Sequence, residues 1–215
     1  MNKTVELVNL WGKYEESHPN AGIDDFCRHL LISKREKVLA KPQTAGNMTI
    51  HVDGLLIRTI SKITKMNMMY ANLAFEGTGL NQVEEFGMLL TIQNQKNPRK
   101  TEVIYDNLME LSSGTDMVNR LIKRGFITEH NDKEDKRAKR LKMTANGEKA
   151  FLKCLGQISK TAIMMLSDME TEDKELCLQL LKGVEAKFLL RWQQDRSKPF
   201  EEVLGDVMSG KEGKK

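Results

Sequence analysis

The stretch from residue 112 to residue 147, SSGTDMVNRLIKRGFITEHNDKEDKRAKRLKMTANG, joins an amphipathic helix to two short strands. Met117, Val118, Leu121 and Ile122 share one helical face, and polar or charged side chains occupy the other faces. A serine hydroxyl at the start is available to cap this helix, and a glycine follows its last turn. Together with a short helix predicted ahead of it, it would form a helix-turn-helix.

The second half of the stretch predicts a β-hairpin with a charged tip. Phe126–His130 and Ala138–Thr144 read as strands, and Leu141 and Met143 fall on one face of the second strand. The residues between the strands are polar throughout. A hairpin placed directly after a helix-turn-helix corresponds to the wing of a winged-helix protein.

Basic residues are concentrated around this stretch. Between residues 96 and 144 there are twelve Lys and Arg against eight Asp and Glu, whereas the rest of the chain holds 22 of each. The excess is greatest from residue 133 to residue 142, where six bases accompany two acids. Such a cluster is either a solvated surface loop or a phosphate-binding surface, because clustered bases displace condensed counterions from nucleic acid.

Amphipathic helices are predicted on both sides of the stretch. Apolar residues recur every three or four positions from Met48 to Phe75 and from Asn146 to Met169. A further helix begins near Thr171, whose hydroxyl would cap it. Two short helices are expected on either side of residues 18–22, and the second of them ends at Lys41–Pro42. Two more are expected at residues 83–97 and from Lys100 to Met109, and Thr101 would cap the last one.

The composition is that of a charged, mainly α-helical protein. Of 215 residues, 40% are hydrophobic, 30% are charged, 6% are aromatic and four are proline, which argues against disorder and against a β-sandwich or barrel. The sequence lacks the run of roughly 18 apolar residues that a membrane span needs, and its N-terminus does not resemble a signal peptide. Three widely spaced cysteines form no disulfide framework, so we expect a cytoplasmic protein that does not enter a membrane.

The order of these elements resembles the MarR family of bacterial transcription regulators. Residues 132–137, DKEDKR, and residues 141–147, LKMTANG, are similar to the family wing, D-x-R-D-x-R before a strand ending in L-T-x-x-G. Residues 119–127, NRLIKRGFI, are similar to the recognition helix and its exit. The resemblance extends over residues 48–194 and departs from the family pattern at Glu134 and Asp116, where bases are common.

The resemblance implies a mainly α fold with a small β-hairpin wing, in which a winged helix-turn-helix is flanked by long dimerisation helices. It implies a homodimer on double-stranded DNA, with the recognition helix in the major groove and a wing arginine in the minor groove. The corresponding domains are an N-terminal helical extension (1–47), a dimerisation region (48–79 and 145–194), a DNA-binding domain (80–144) and a flexible tail (195–215).

The same match supplies the candidate DNA-binding residues. Ser113 and Thr115 would donate hydrogen bonds to phosphate from the start of the helix. Asn119 and Arg120, on the following turn, would contact base edges. Arg137 would follow the minor groove, with Asp135 holding its guanidinium. For the base-reading Arg120, a surface ion pair with Asp116 is the alternative. The full set is Ser113, Thr115, Asn119, Arg120, Lys123, Lys133, Asp135, Lys136 and Arg137.

We therefore expect a sequence-specific transcription regulator, acting as a repressor, that binds a pseudo-palindromic operator and is released by a small-molecule effector. The alternative is a winged-helix protein-interaction module without operator binding. The sequence contains no phosphate loop, no GxSxG motif and no close histidine spacing, so no enzyme activity, cofactor or metal site is predicted.

Two groups of sulfur-containing residues allow more than one interpretation. The methionines of the long helices serve either core packing or an adaptable pocket for a lipophilic or phenolic effector, with Met66, Met69, Tyr70 and Met165 as its predicted residues. Cys154 and Cys177 lie beside apolar faces and are predicted to be buried, whereas Cys27 is the candidate for a redox-active thiol.

Overall fold

Helices make up most of the computed structural model, which describes residues 2–35, 44–45, 48–49, 51–132 and 134–210. In chain order the elements are α1 (Lys3–Ser17), α2 (Ile23–Arg35), β1 (Thr44–Ala45), β2 (Met48–Thr49), α3 (Val52–Ala74), α4 (Val83–Gln95), α5 (Lys100–Asp106), α6 (Leu111–Lys123), β3 (Ile127–Asn131), β4 (Lys139–Met143), α7 (Ala145–Met165), α8 (Thr171–Asp195) and α9 (Phe200–Met208). Both β1–β2 and β3–β4 pair antiparallel. The predicted fold class, mainly α with a small β-hairpin, is confirmed.

The chain divides into two compact units, residues 1–60 and 61–215. In the first unit, aromatic side chains hold α1 against α2. Phe26 is buried, the Trp11 ring meets it edge-on with 5.0 Å between centroids, and the Tyr14 ring lies 5.6 Å away. The two short helices predicted here are confirmed, and the predicted end of the second at Lys41–Pro42 falls outside the described residues.

In the second unit an apolar cluster is enclosed by α4, α5, α6, α7 and the β3–β4 hairpin. The Phe86 ring of α4 stacks on the Phe151 ring of α7 with 5.2 Å between centroids and 8° between planes. The buried members of the cluster are Phe75, Leu80, Phe86, Met88, Leu89, Ile92, Val103, Ile104, Met117, Val118, Leu121, Ile127, Leu141, Met143, Ala150, Phe151 and Cys154. Because α6 and the hairpin both insert side chains into this core, their exposed faces are held in a fixed relation.

The predicted start of the first long helix is wrong by four residues. Met48 lies in β2, where it pairs with Ala45, and α3 begins at Val52. The His51 carbonyl accepts the first helical hydrogen bond, from the Leu55 amide at 3.1 Å. Met48 and Thr49, which the apolar pattern placed in the helix, instead pair with Ala45 and Thr44 in the β1–β2 ladder.

The predicted end of the second long helix is also too late. α7 ends at Met165, and the Leu166 amide makes the last helical bond to the Ala162 carbonyl. The chain then turns, because the Met169 amide donates to the Leu166 carbonyl at 3.2 Å. Apolar periodicity continues to Met169, but the backbone has already left the helix there.

The hydroxyl caps predicted for three helices are wrong. Ser112 lies inside the first turn of α6, Thr101 lies inside α5, and Thr171 is the first residue of α8 rather than the residue before it. In α5 a carboxylate caps the helix start instead, because Glu102 Oε2 accepts a hydrogen bond from the Arg99 amide at 2.6 Å.

The tail predicted to be flexible from residue 195 contains helix α9 instead. Pro199 precedes its first turn, which is rich in acids. The Lys198 ammonium holds the helix by ion pairs to Asp206 at 2.8 Å and Glu202 at 3.3 Å. The hydrogen bond to Asp206 raises the pKa of Lys198 above its usual value. Ion pairs from one lysine just before α9 to two acids within it thus stabilise a helix where the composition suggested fraying.

One of the two cysteines predicted to be buried is buried. Cys154 lies in the core, its thiol donates to Thr78 Oγ1 at 3.1 Å, and burial raises the pKa of that thiol. Cys177 is exposed on α8, so the prediction that it is buried is wrong. Cys27, the candidate redox-active thiol, is exposed on α2.

Candidate nucleic-acid interface

Helices α5 and α6 form the predicted helix-turn-helix, and a glycine sets their separation. Gly114 is buried in the first turns of α6, against the side chain of Ile104 on α5. A Cβ at Gly114 would overlap Ile104 Cγ2 and lie 2.8 Å from Cγ1, so a larger residue would push the helices apart. Met117, Val118 and Leu121 then bury the inner face of α6.

The outer face of α6 carries the side chains predicted to contact DNA. Ser113, Asn119, Arg120 and Lys123 are exposed, and Thr115 is half-buried. Lys100 on α5 donates to Asn119 Oδ1 at 3.3 Å, which orients that amide. Among the described residues, Arg120 and Lys123 make no ion pair, so the alternative pairing of Arg120 with Asp116 is not formed.

The wing is a five-residue antiparallel ladder with one face in the core. Ile127 pairs with Met143 and Asn131 with Lys139, and the side chains of Ile127, Leu141 and Met143 are buried. The intervening positions of β4 carry bases on the other face. This alternation matches the sequence prediction: Lys142 is exposed, whereas Arg140 is half-buried because it contacts Asp132.

A buried carboxylate, Asp132, shapes the turn at the end of the ladder. Its Oδ1 accepts from the amides of Glu134 (2.8 Å) and Asp135 (3.1 Å), and its Oδ2 accepts from the Arg140 guanidinium. A second guanidinium, that of Arg99, lies 3.8 Å from Oδ2. The two backbone hydrogen bonds, with Arg140 adding to them, lower the pKa of Asp132 from 3.8 to about 2.

The tip itself is exposed. Asp135, Lys136 and Arg137 all lie in solvent, and Lys133 falls outside the described residues. Asp135 Oδ1 accepts from the backbone amide of Arg137 at 3.0 Å. The prediction that Asp135 holds the Arg137 guanidinium is therefore wrong: the carboxylate fixes the turn and leaves the guanidinium free of that contact.

Polar contacts join the wing to the helix-turn-helix. Arg140 donates to the Asn97 carbonyl at 2.8 Å, and the Lys100 ammonium lies 3.2 Å from Glu129 on β3. Asn97 and the preceding Lys96 have positive φ values of 76° and 49°, which bring the carbonyl between α4 and α5 toward the wing. Lys100 thus contacts both the β3–β4 hairpin and α6.

A second set of contacts fixes the far end of α6. Arg124 Nη1 donates to both carboxylate oxygens of buried Glu85, at 2.7 and 2.9 Å, and the guanidinium lies over the Phe126 ring, 4.9 Å from its centroid. Its guanidinium also donates to the Gly79 carbonyl. Sequence reasoning missed Glu85, although its spacing of four from buried Leu89 placed it on the buried face of α4.

Thr144 and Gly147, which match the T-x-x-G part of the family motif, have structural roles at the start of α7. Thr144 caps α7, because its hydroxyl oxygen accepts from the Gly147 amide at 3.1 Å and donates to the Gly125 carbonyl at 2.6 Å. A Cβ at Gly147 would overlap the Phe126 carbonyl oxygen. The motif therefore joins α7 closely to the end of α6.

A groove of about 430 Å³ lies between α3 and α7 within the second unit. Of the predicted effector residues, Tyr70 lines it, whereas Met66, Met69 and Met165 are not among its described lining residues. The methionine that lines the groove is Met164 rather than the predicted Met165, and Lys160 and buried Thr161 lie beside it. The groove has an aromatic ring, a thioether and one cation.

Within the part of the chain that the structure describes, no three His, Cys, Asp or Glu side chains come together in a way that could hold a metal ion. Among the described helices, none combines the length and apolar character required to cross a lipid bilayer.

Solved structures that are similar to this chain include transcription regulators. A cysteine-to-serine mutant of MarR from E. coli, complexed with operator DNA, is 19% identical with a TM-score of 0.57 and matches over 60% of this chain and 92% of its own. BpsR from Bordetella bronchiseptica, whose DNA binding is regulated by 6-hydroxynicotinic acid, is 11% identical with a TM-score of 0.56, over 61% and 98% of the two chains. PcaV from Streptomyces coelicolor, with its natural ligand, is 16% identical with a TM-score of 0.52, over 67% and 98%.

The chain has the MarR fold. Neither the family models nor the curated proteins give a match to the sequence, so the likeness rests on structure. The helix-turn-helix and the hairpin that follows it, both predicted from the sequence, are present as α5–α6 and β3–β4. These three structures match over nearly all of their own length and over 60–67% of this chain, so at least a third of this chain has no counterpart in them.

Proposed function

We propose that the chain is a MarR-type, DNA-binding transcription regulator that acts as a repressor. The observation that carries this proposal is the exposed polar face of α6 beside a basic wing tip, both anchored in one core. An α-helix with such a face fits the major groove, and a wing arginine fits the narrow minor groove. MarR itself is known in complex with operator DNA.

The predicted residues divide into two kinds of contact. Arg120 reads base edges together with Asn119, whose amide Lys100 holds in place. Arg137 supplies affinity in the minor groove. The remaining residues contact phosphate: Ser113 and Thr115 at the start of α6, and Lys123, Lys133 and Lys136 as point charges, whereas Asp135 shapes the wing turn.

We further propose a homodimer. The faces of α3, α7 and α8 leave many large apolar side chains exposed in a single chain, more than a stable monomer shows. On α8 the exposed residues are Leu176, Leu178, Leu180, Leu181, Val184, Phe188, Leu189 and Leu190. Residues 48–79 and 145–194 would supply the dimerisation region and residues 80–144 the DNA-binding domain.

A small lipophilic or phenolic effector would bind the groove between α3 and α7. Its volume of about 430 Å³ suits a small molecule, Tyr70 offers a ring for stacking, and Lys160 offers a cation. BpsR is regulated by an aromatic acid and PcaV binds a natural ligand. Release from DNA by hydroxybenzoic acids, lost in Tyr70→Ala, would support this role.

Selection of bound sequences from a random duplex pool tests the proposed function. Because two-fold protein symmetry is mirrored in the DNA, we expect a pseudo-palindrome with half-sites about 10 base pairs apart. A single unrepeated motif would contradict the homodimeric arrangement. No enrichment at low salt would support a protein-interaction module instead.

A further inference from the structure

Lys100 is the first residue of α5, and most of its side chain is buried. The side chain is 19% exposed, although a lysine is seldom buried to this extent without a partner. A base in the first turn of a helix also lies at the positive end of the helix dipole, where a base is unfavourable. A lysine at this position therefore does not stabilise α5 itself, and its value lies in what its ammonium contacts.

The Lys100 ammonium reaches two other elements. It lies 3.2 Å from Glu129 Oε2 on β3, and it donates to Asn119 Oδ1 on α6 at 3.3 Å. The Glu129 side chain is only 24% exposed, and the Lys139 ammonium lies 4.0 Å from its other oxygen. Because a partly buried ion pair is screened less than one in open solvent, Glu129 holds the Lys100 ammonium in place beside α6.

This contact decides which end of the Asn119 amide is available to a ligand. An ammonium has N–H donors and no acceptor, so the amide oxygen must face Lys100 and the amide nitrogen, Nδ2, must point away from it. Asn119 is exposed, and among the described residues its Nδ2 donates to no protein group. At residue 119, α6 therefore presents an N–H donor while the amide oxygen is already engaged.

Bases differ in the groups that they offer to such a donor. In the major groove guanine presents the acceptors N7 and O6, whereas adenine presents the acceptor N7 beside the donor N6–H₂. An unrestrained asparagine pairs with adenine by donating to N7 and accepting from N6. Lys100 competes for that accepting oxygen, and its charge is unfavourable beside the N6–H₂ group. The acceptor-rich edge of guanine therefore suits the held amide better.

We propose that Lys100 is a positioning residue that sets base specificity: by holding Oδ1, it makes Asn119 select guanine over adenine in the major groove. This inference rests on the proposed function, because it requires α6 to lie in that groove. Glu129 extends the arrangement to β3, since its carboxylate fixes the ammonium that orients the amide.

Binding of the full chain to variants of the selected duplex tests this role. Asn119→Ala first identifies the base pair that residue 119 reads, because discrimination is lost there. For the unchanged protein we expect guanine at that position to bind at least about tenfold more tightly than adenine. Lys100→Met keeps the length of the side chain and removes its donors, so this ratio should fall to about one or below. Adenine preferred by the unchanged protein, no position at which Asn119→Ala loses discrimination, or a ratio that Lys100→Met leaves unaltered would overturn the proposal.

Two further variants separate this role from a structural one. Lys153→Met removes an exposed base from α7 and should leave the ratio unchanged. Asn119→Asp keeps an oxygen for Lys100 and replaces the donor by a second oxygen, so the guanine preference should be lost whether or not Lys100→Met folds. A guanine preference retained in Asn119→Asp, or an equal fall of the ratio in Lys153→Met, would contradict the proposal.

Failure of this inference is distinguishable from failure of the proposed function. If the chain does not bind operator DNA, no duplex is enriched in the selection from the random pool. If only the role of Lys100 is wrong, an enriched site remains, and the base read by Asn119 is not guanine or does not depend on Lys100.

Discussion

Asp132 shows how one buried carboxylate shapes the wing. Its oxygens accept from two backbone amides of the turn and from Arg140, which in turn reaches the Asn97 carbonyl. The same side chain therefore shapes the hairpin end and ties it to the connection between α4 and α5. The sequence marked this position as the first acid of the wing motif, but its burial depends on contacts that only the folded chain brings together.

The acid stability of the fold should depend on Asp132. Its pKa is lowered from 3.8 to about 2 in the folded chain, so its stabilising contribution is complete above about pH 4 and is lost as the pH falls toward 2. Asp132→Asn should lower the urea midpoint at neutral pH, and the difference from the unchanged protein should shrink between pH 4 and pH 2. A difference that stays constant across this range would contradict the assignment.

Arg120 should contribute to specificity. We expect Arg120→Ala to cost about 1–3 kcal/mol on the selected duplex and much less on random duplexes, because a base-edge contact is lost only at the preferred site. Lys153→Ala, which removes an exposed base on α7, is the control and should leave both affinities unchanged. An equal loss on both duplexes would reassign Arg120 to phosphate.

At the scale of elements, the contact between α5 and α6 should be sensitive to one added methyl group. We expect Gly114→Ala to destabilise the protein by about 1–3 kcal/mol, because its Cβ would overlap Ile104. Gly156→Ala on α7 is the matched control: a Cβ there meets nothing within 4 Å, so the change should stabilise the helix by up to about 1 kcal/mol. Urea unfolding of the two variants measures both effects, and a neutral Gly114→Ala would contradict this packing.

Elements whose apolar period matches one buried face could be predicted from the sequence. The faces of α6 and β4 were correct because Leu121 and Leu141 enter the core that the pattern implies. Helix ends were less predictable, because Met48 pairs with Ala45 in a β-ladder and Met169 lies in a turn after α7. The polar anchor Glu85 was missed because its partner Arg124 lies thirty-nine residues away, which leaves no local periodicity. Asp132 was placed in the wing motif, but its burial was not predicted.

At the scale of the whole molecule, the exposed faces of the long helices predict a homodimer. Phe188→Asp places a charge on the exposed apolar face of α8, and we expect association to weaken by at least about tenfold. Gln179→Asp adds the same charge half a turn around the helix from Phe188 and should weaken association less. Light scattering at micromolar concentration measures the molar mass of both variants and of the protein without substitutions. A monomeric protein without substitutions would contradict the dimer.

The central claim is that the hairpin is a DNA-contacting wing, and a salt series with Arg137→Ala tests it most directly. Affinity for the selected duplex and for random duplexes is measured for the unchanged protein and the variant across salt concentrations. We expect weaker binding to both duplexes and a salt slope smaller by about one unit, because one phosphate-neutralising charge is lost. Unchanged affinities and an unchanged slope would show that the hairpin does not contact DNA.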